Sequence, residues 1–352
     1  MPSCRSVYPQ SLSCHKKAKR QSSIKIWRLI KAMSNEIKSS GVRQAIASTP
    51  GLNYSKNRMN RRNMLASTGA AVIGASAFPL HWVAAAEQKK QKVLYFSRSA
   101  SYEHDAVKRK DGKPSISERI LTELGNKHGF DVVSTKDGRV FDGDLEKYDA
   151  IAFYTSGVLT KPNKQQTPPM TPDGKNKLLR AIAAGKGFVG FHSATDSFHS
   201  KGPGNQNQTE VDPYIAMIGG EFIVHGAQQK ATIRAASPKF PGVKEFGENV
   251  SLKEEWYTLK NFAKDLHVIL IEDNEGMEGD CYQRPPFPMT WARMHNKGRV
   301  FYTSFGHRDD IWTNPGVQGI IAGGLAWAMR NVNVNVTPNI DKVTPKASQL
   351  KY

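Results

Sequence analysis

The sequence predicts an α/β fold whose central sheet is mainly parallel and is extended by antiparallel strands. Two patterns carry this. Between residues 92 and 192, short apolar runs alternate with amphipathic stretches at the spacing of right-handed βαβ units, which build parallel sheets. Beyond Gly220 strand-like runs follow one another closely, with turn residues in place of helices.

Residues 93–96 are expected as the first strand. Residues 117–128, "SERILTELGNKH", follow as a helix with Ile120, Leu121 and Leu124 on one face. Val132 and Val133 mark a second strand and residues 150–154 a third. Residues 172–184 form a helix opened by Pro172, whose missing N–H costs nothing in a first turn. Residues 187–192 form a fourth strand, ending abruptly where "GFVGF" gives way to small and polar residues at His192. In the second half, residues 231–235, 267–271, 288–294 and 299–304 are strand-like, and "MHNKGRV" supplies the turn between the last two. Residues 317–330 form a closing helix that packs on the sheet through Ile320, Ile321, Leu325 and Trp327. The polar residues 331–352 are expected to run extended, residues 334–352 as a tail outside the domain.

Charge is concentrated at the start. Of a net +19, residues 1–62 carry +13, from 14 Lys or Arg against the single acid Glu36, which leaves +6 for the rest. So small an excess gives no clustered basic face, and nucleic acid is excluded as a partner class. No nucleotide cofactor is expected. The paired arginines in Asn60-Arg61-Arg62-Asn63-Met64-Leu65 precede a Gly/Ala-rich apolar run, and Ala84-Ala85-Ala86 suits cleavage before Glu87. Residues 59–86 therefore resemble a twin-arginine export signal, which implies the export machinery as a partner and a periplasmic or secreted product. The run, broken by Pro79, is too short to span a membrane, where about 20 apolar residues are needed. Met59 immediately before the motif marks it as a candidate start, with residues 1–58 as an extension. Beyond residue 86 only Cys281 remains, so no internal disulfide forms and stability rests on a packed core.

Four histidines stand just beyond predicted strands: His104, His192, His225 and His307, with Asp196, Glu255 and Asp309 near them in sequence. Parallel strands end on one edge of a sheet, and that edge is where ligands bind. His104, His192 and His307 are candidate ligands of a divalent metal such as Zn, although no short-range motif of the H-E-x-x-H kind ties them together. His192 is equally a candidate general base, oriented by Asp196 or Glu255. Trp256, Tyr257, Trp291 and His225 are candidates for substrate contact, the aromatic rings offering flat faces to a sugar. His225 in a glycine-rich loop and Asp309 in a turn have equally simple structural readings, and His128, His199, His267 and His295 are expected as surface or turn residues.

Six ordered motifs, the first-strand loop with His104, "GFVGFHSATDSF", "MIGGEFIVHG", "EEWYTL", "PMTWARMHNKGRVFYTSFGH" and "GGLAWAMR", resemble the trehalose-utilisation, or ThuA-like, family over nearly all of residues 91–333. The resemblance implies a three-layer, flavodoxin-like sandwich similar to class I glutamine amidotransferases, and a role in carbohydrate metabolism. It implies a carbohydrate substrate, and a sugar dehydrogenase as partner, which makes oxidised (3-keto) glycosides the expected substrates. Amidotransferases of that fold place a nucleophilic Cys after the fourth strand; His192-Ser193 stands there instead, so thiolate chemistry on glutamine is not expected. Nor does "GFHSA" match a serine nucleophile elbow. Cleavage of a glycosidic bond, lyase-like or by a pair of carboxylates, is the expected chemistry; a non-catalytic sugar-binding or electron-transfer accessory module is the alternative from another class.

Overall fold

A computed structural model describes residues 90–351. The extension at 1–58 and the export signal at 59–86 lie outside the described residues. The strands are β1 (Gln91–Phe96), β2 (Phe130–Thr135), β3 (Ala150–Phe153), β4 (Gly187–Phe191), β5 (Glu221–His225), β6 (Gln229–Ala235), β7 (Asn249–Glu254), β8 (Tyr257–Lys260), β9 (His267–Asp273), β10 (Phe287–His295) and β11 (Gly298–Thr303). Nine of them form one sheet in the order β2-β1-β3-β4-β11-β10-β9-β6-β7, and β5 pairs with β8 in a separate ribbon. From β2 to β11 neighbouring strands are parallel; from β11 to β7 each neighbour is antiparallel.

Helices cover both faces, making a three-layer, flavodoxin-like sandwich. Strand residues alternate between them, as the period of two requires. Val93 and Tyr95 of β1 join the core under the Ile116–His128 and Pro315–Ala328 helices, while Leu94 and Phe96 join the core under Pro172–Ala184 and Pro213–Ile218. Local signals set the helix ends. Ser115 and Glu118 form a reciprocal capping box and Gly129 closes that helix in the left-handed conformation, while Thr171 and Asn314 cap helices that both begin with Pro.

Residues 334–351 are irregular apart from one helical turn, Ile340–Val343, and burial of Ile340 and Ala347 pins them to the domain. Buried Arg284 ties that segment to β8, donating to the Ala347 and Leu259 carbonyls at 2.8 and 2.7 Å. No helix among the described residues is long and apolar enough to cross a membrane.

Candidate metal centre

His104, His192 and His307 follow β1, β4 and β11, whose parallel directions end on one edge of the sheet. Counting antiparallel steps from β11, β7 runs the same way and delivers Glu254 and Glu255 to that edge. The local backbone is costly. His192 has φ +42°, a left-handed conformation that costs a non-glycine residue about 1–3 kcal/mol and that recurs at functional turns. Two bonds hold it: the Tyr302 hydroxyl donates to the His192 carbonyl at 2.7 Å, and His192 Nδ1–H donates to the Ser304 carbonyl at 2.8 Å. His307 is placed through Gly306, whose φ of +137° favours glycine and whose carbonyl accepts from Tyr154 and Trp312 at 3.0 and 2.7 Å. Glu254 accepts from the backbone N–H groups of Gly306 and His307 at 3.0 and 3.1 Å, fastening this turn to the end of β7.

Glu255 is the centre of the cluster. Its Oε2 lies 3.0 Å from His307 Nδ1, 3.3 Å from His192 Nε2 and 3.7 Å from His104 Nε2, and its Oε1 lies 3.4 Å from His225 Nδ1. One donor atom from each of His104, His192, Glu255 and His307 falls within 4.8 Å of the others. The Tyr257 hydroxyl is 3.2 Å from His104 Nε2, and the Tyr257 ring packs 4.1 Å from that of His192.

Burial holds His192 down to about 4 and lowers His104 as well, against the opposing pull of Glu255, so both are neutral imidazoles at pH 7. Burial alone would raise Glu255, but its contacts with the His104, His192 and His307 imidazoles hold it below the usual carboxylate range. Burial likewise works to lower His307, yet its contact with Glu255 prevails and raises it. Burial raises Glu254 to about 7.

The hydrogen-bond bookkeeping then fits a cation. Because a carbonyl only accepts, neutral His192 keeps its proton on Nδ1 and turns the Nε2 lone pair toward the ionised Glu255, acceptor against acceptor. His104 Nδ1 is buried without a partner. Neutral imidazoles and a carboxylate are the donors that Zn²⁺ and similar divalent ions take, and an ion among them turns facing lone pairs into shared ligands.

The other sequence candidates divide. Tyr257 and His225 belong to the cluster, their rings stacked 5.7 Å apart, with His225 half exposed at its rim. Asp196 does not orient His192: it bonds His199 Nε2 at 2.7 Å, because the turn after β4 carries its side chain outward, and Glu255 takes the place beside His192. Trp256 is fully buried, donates Nε1–H to the Gln229 carbonyl at 2.8 Å and packs on Phe305; Trp291 is likewise sealed in the core and bonded to the Ile218 carbonyl. Neither ring offers a face to substrate. Trp256→Leu is expected to cost about 2–4 kcal/mol of stability while leaving saccharide affinity unchanged, checked by thermal unfolding beside calorimetric titration. Asp309 opens the single helical turn Asp309–Trp312 and lines a surface cleft next to His307. Ser193 Oγ is buried without a hydrogen-bond partner, and burial raises the Cys281 thiol. Sequence reasoning missed Glu254 and His199; for Glu254 the signal was the doubled "EE" before "WYTL".

A family model described as ThuA, trehalose utilisation, matches residues 92–328. Among solved structures, the fold is similar to a ThuA-like protein from Bacteroides uniformis, at 18% identity and a TM-score of 0.50, covering 71% of this chain and 95% of that one. A ThuA-like protein from Parabacteroides merdae is also 18% identical, at a TM-score of 0.48, covering 71% of this chain and 94% of that one. No curated protein matches the chain. The family model spans well over half of the sequence and takes in β1 through the Pro315–Ala328 helix and every residue of the cluster, and this chain belongs to the ThuA, trehalose utilisation, family.

Proposed function

We propose that the protein is an exported carbohydrate-metabolism enzyme that cleaves the glycosidic bond of oxidised, 3-keto glycosides at a divalent metal site, zinc being the ion these ligands suit. The carrying observation is the lone-pair conflict between His192 Nε2 and Glu255 Oε2 inside a ring of three imidazoles. His104, His192, His307 and Glu255 would hold the ion, which supplies Lewis acidity toward a carbonyl oxygen.

The chain's own groups do the rest. A C3 ketone acidifies the C2 proton. His225, half exposed and 3.4 Å from Glu255, is the accessible base; the base role considered for His192 passes to it because His192 has no exposed surface. Removal of the C2 proton by His225 forms the C1=C2 bond as the C1–O bond breaks, and the departing oxygen takes the proton back from the imidazolium. Tyr257, buried and held neutral, keeps a hydroxyl against His104 and walls the site. The leader supports export by the twin-arginine route, and a sugar dehydrogenase that makes the keto group is the matching partner.

The test is elemental analysis of the full chain, purified without chelator, beside the His192→Ala, His307→Ala double variant, with turnover of a 3-keto disaccharide followed for both. About one metal per parent chain and none in the variant, with turnover only in the parent, is expected. A parent that stays metal-free after reconstitution overturns the metal-assisted reading; a loaded parent that binds sugars without cleaving them shows the accessory module instead.

A further inference from the structure

Tyr102 is the one aromatic residue among the exposed large hydrophobic side chains of the described residues, with 63% of its surface in solvent. It lies beside the cluster, its ring edge-on to His104 with centroids 4.9 Å apart. The loop beneath it is fixed: the Ala100 N–H donates to the Ser156 carbonyl and the Ser156 hydroxyl to the Tyr102 carbonyl, both at 2.7 Å. Gly157 packs so closely on Ser101 that a Cβ there would stand 2.8 Å from its backbone nitrogen. An apolar ring is thus held in water at the mouth of a polar site by a backbone that leaves it little room to fold away.

On the His307 side, a cleft of about 450 Å³ is lined by Asp105, Lys110, Gln228, His307, Arg308 and Asp310, a size within the range of small-molecule pockets. Its polar groups are fixed in place. Arg308 bonds Asp310 at 2.8 Å and Gln228 Oε1 at 2.9 Å, and the Gln228 amide in turn reaches His307 Nε2 at 2.8 Å. Asp105, Asp309 and Asp310 stand with Lys110 and Arg308 around the cleft, a mixture that favours a neutral, many-hydroxyl ligand over an anion, since any anion meets the aspartates as well as the cations. The residues 101–110 contribute to both features, Tyr102 against His104 and Asp105 with Lys110 in the lining of the cleft.

Resting on the carbohydrate reading above, we propose that the site takes a two-ring glycoside, one ring hydrogen-bonded in the cleft beside His307 and the other stacked on the Tyr102 face, with the bond joining them over the cluster. Flat sugar faces stack on aromatic rings through their C–H groups, and a pinned ring contributes without an ordering cost.

The test is calorimetric titration of the zinc-loaded full chain with trehalose, 3-ketotrehalose and glucose, comparing the parent with Tyr102→Ala and Tyr102→Phe. Tyr102→Ala is expected to weaken binding of the disaccharides by about five- to tenfold, leave glucose binding and zinc content unchanged, and be restored by Tyr102→Phe. Disaccharide affinity in Tyr102→Ala equal to the parent's overturns the stacking role while leaving the carbohydrate reading standing. A zinc-loaded parent that binds none of the three sugars overturns the carbohydrate reading and this inference with it. Because the side chain is mostly in solvent, its truncation opens no core cavity, and unchanged zinc content reports an intact fold.

Discussion

Glu255→Gln is expected to strip the cluster of metal. The substitution keeps the shape of the side chain and removes its charge. Four groups face that carboxylate within 3.7 Å, so an ion among them loses its only anionic ligand. Loss of an outer partner of a metal ligand already costs about 10–100-fold in affinity, and loss of the charged ligand itself should exceed 100-fold. Elemental analysis of parent and variant reads the loss. A variant that keeps stoichiometric metal contradicts the argument.

The sheet was legible because its strands are buried on both faces, which leaves continuous apolar runs such as "FVGF" and "AIAF". The Pro172–Ala184 helix was bounded correctly at both ends by its Pro and the glycine that follows. β7 escaped notice because "NVSLKE" is an edge strand with alternating exposure and no apolar run, and β5 and β8 because a two-stranded ribbon of five and four residues carries too little pattern. The histidines were found by position, His104, His192 and His307 past the ends of strands and His225 as the last residue of one. Their meeting point was not, since Glu255 arrives from the antiparallel side of the sheet, four strands from β11, and only the count of antiparallel steps brings it to the same edge. Asp196 shows the opposite failure. It stands four residues from His192, yet a 3₁₀ turn over His192–Asp196 rotates the two side chains apart. Aromatic residues beside a site residue invite a stacking role, but Trp256 follows Glu255 directly, and neighbours on an extended chain point to opposite sides.

The same turn creates a second cluster, and its disruption should be the largest loss of stability short of a core truncation. Glu221 is buried and accepts from Ser200 Oγ at 2.6 Å, Asn261 Nδ2 at 2.7 Å and His199 Nδ1 at 3.2 Å, with buried Lys260 at 3.7 Å. His199 is bracketed by Asp196 at 2.7 Å on its other nitrogen, so both ring nitrogens donate and the ring is an imidazolium. Hydrogen bonds that it donates to Asp196 and then Glu221 raise it to about 9. Burial works to raise Glu221, but His199, Ser200, Asn261 and Lys260 together lower it to about 2. The signs fix the pH dependence. His199 stabilises the fold fully below its unfolded value of 6.5 and loses that contribution as pH rises toward 9; Glu221 contributes fully above its unfolded value of 4.5 and loses it as pH falls toward 2. The cluster is therefore at full strength between pH 4.5 and 6.5. Glu221→Ala leaves the Lys260 ammonium buried without a counter-charge and should cost about 3–5 kcal/mol, lowering the melting temperature by about 10 °C at pH 6. Pairing Glu221→Leu with Lys260→Met removes both charges and should recover at least half of that loss, because the penalty lies in the stranded ion more than in the missing attraction. A double variant no more stable than Glu221→Ala would place the energy in the hydrogen bonds to Ser200 and Asn261 instead. Metal content should be the same in all of these proteins, since the clip joins the turn after β4 to β5 and β8 and none of its members reaches the histidine cluster.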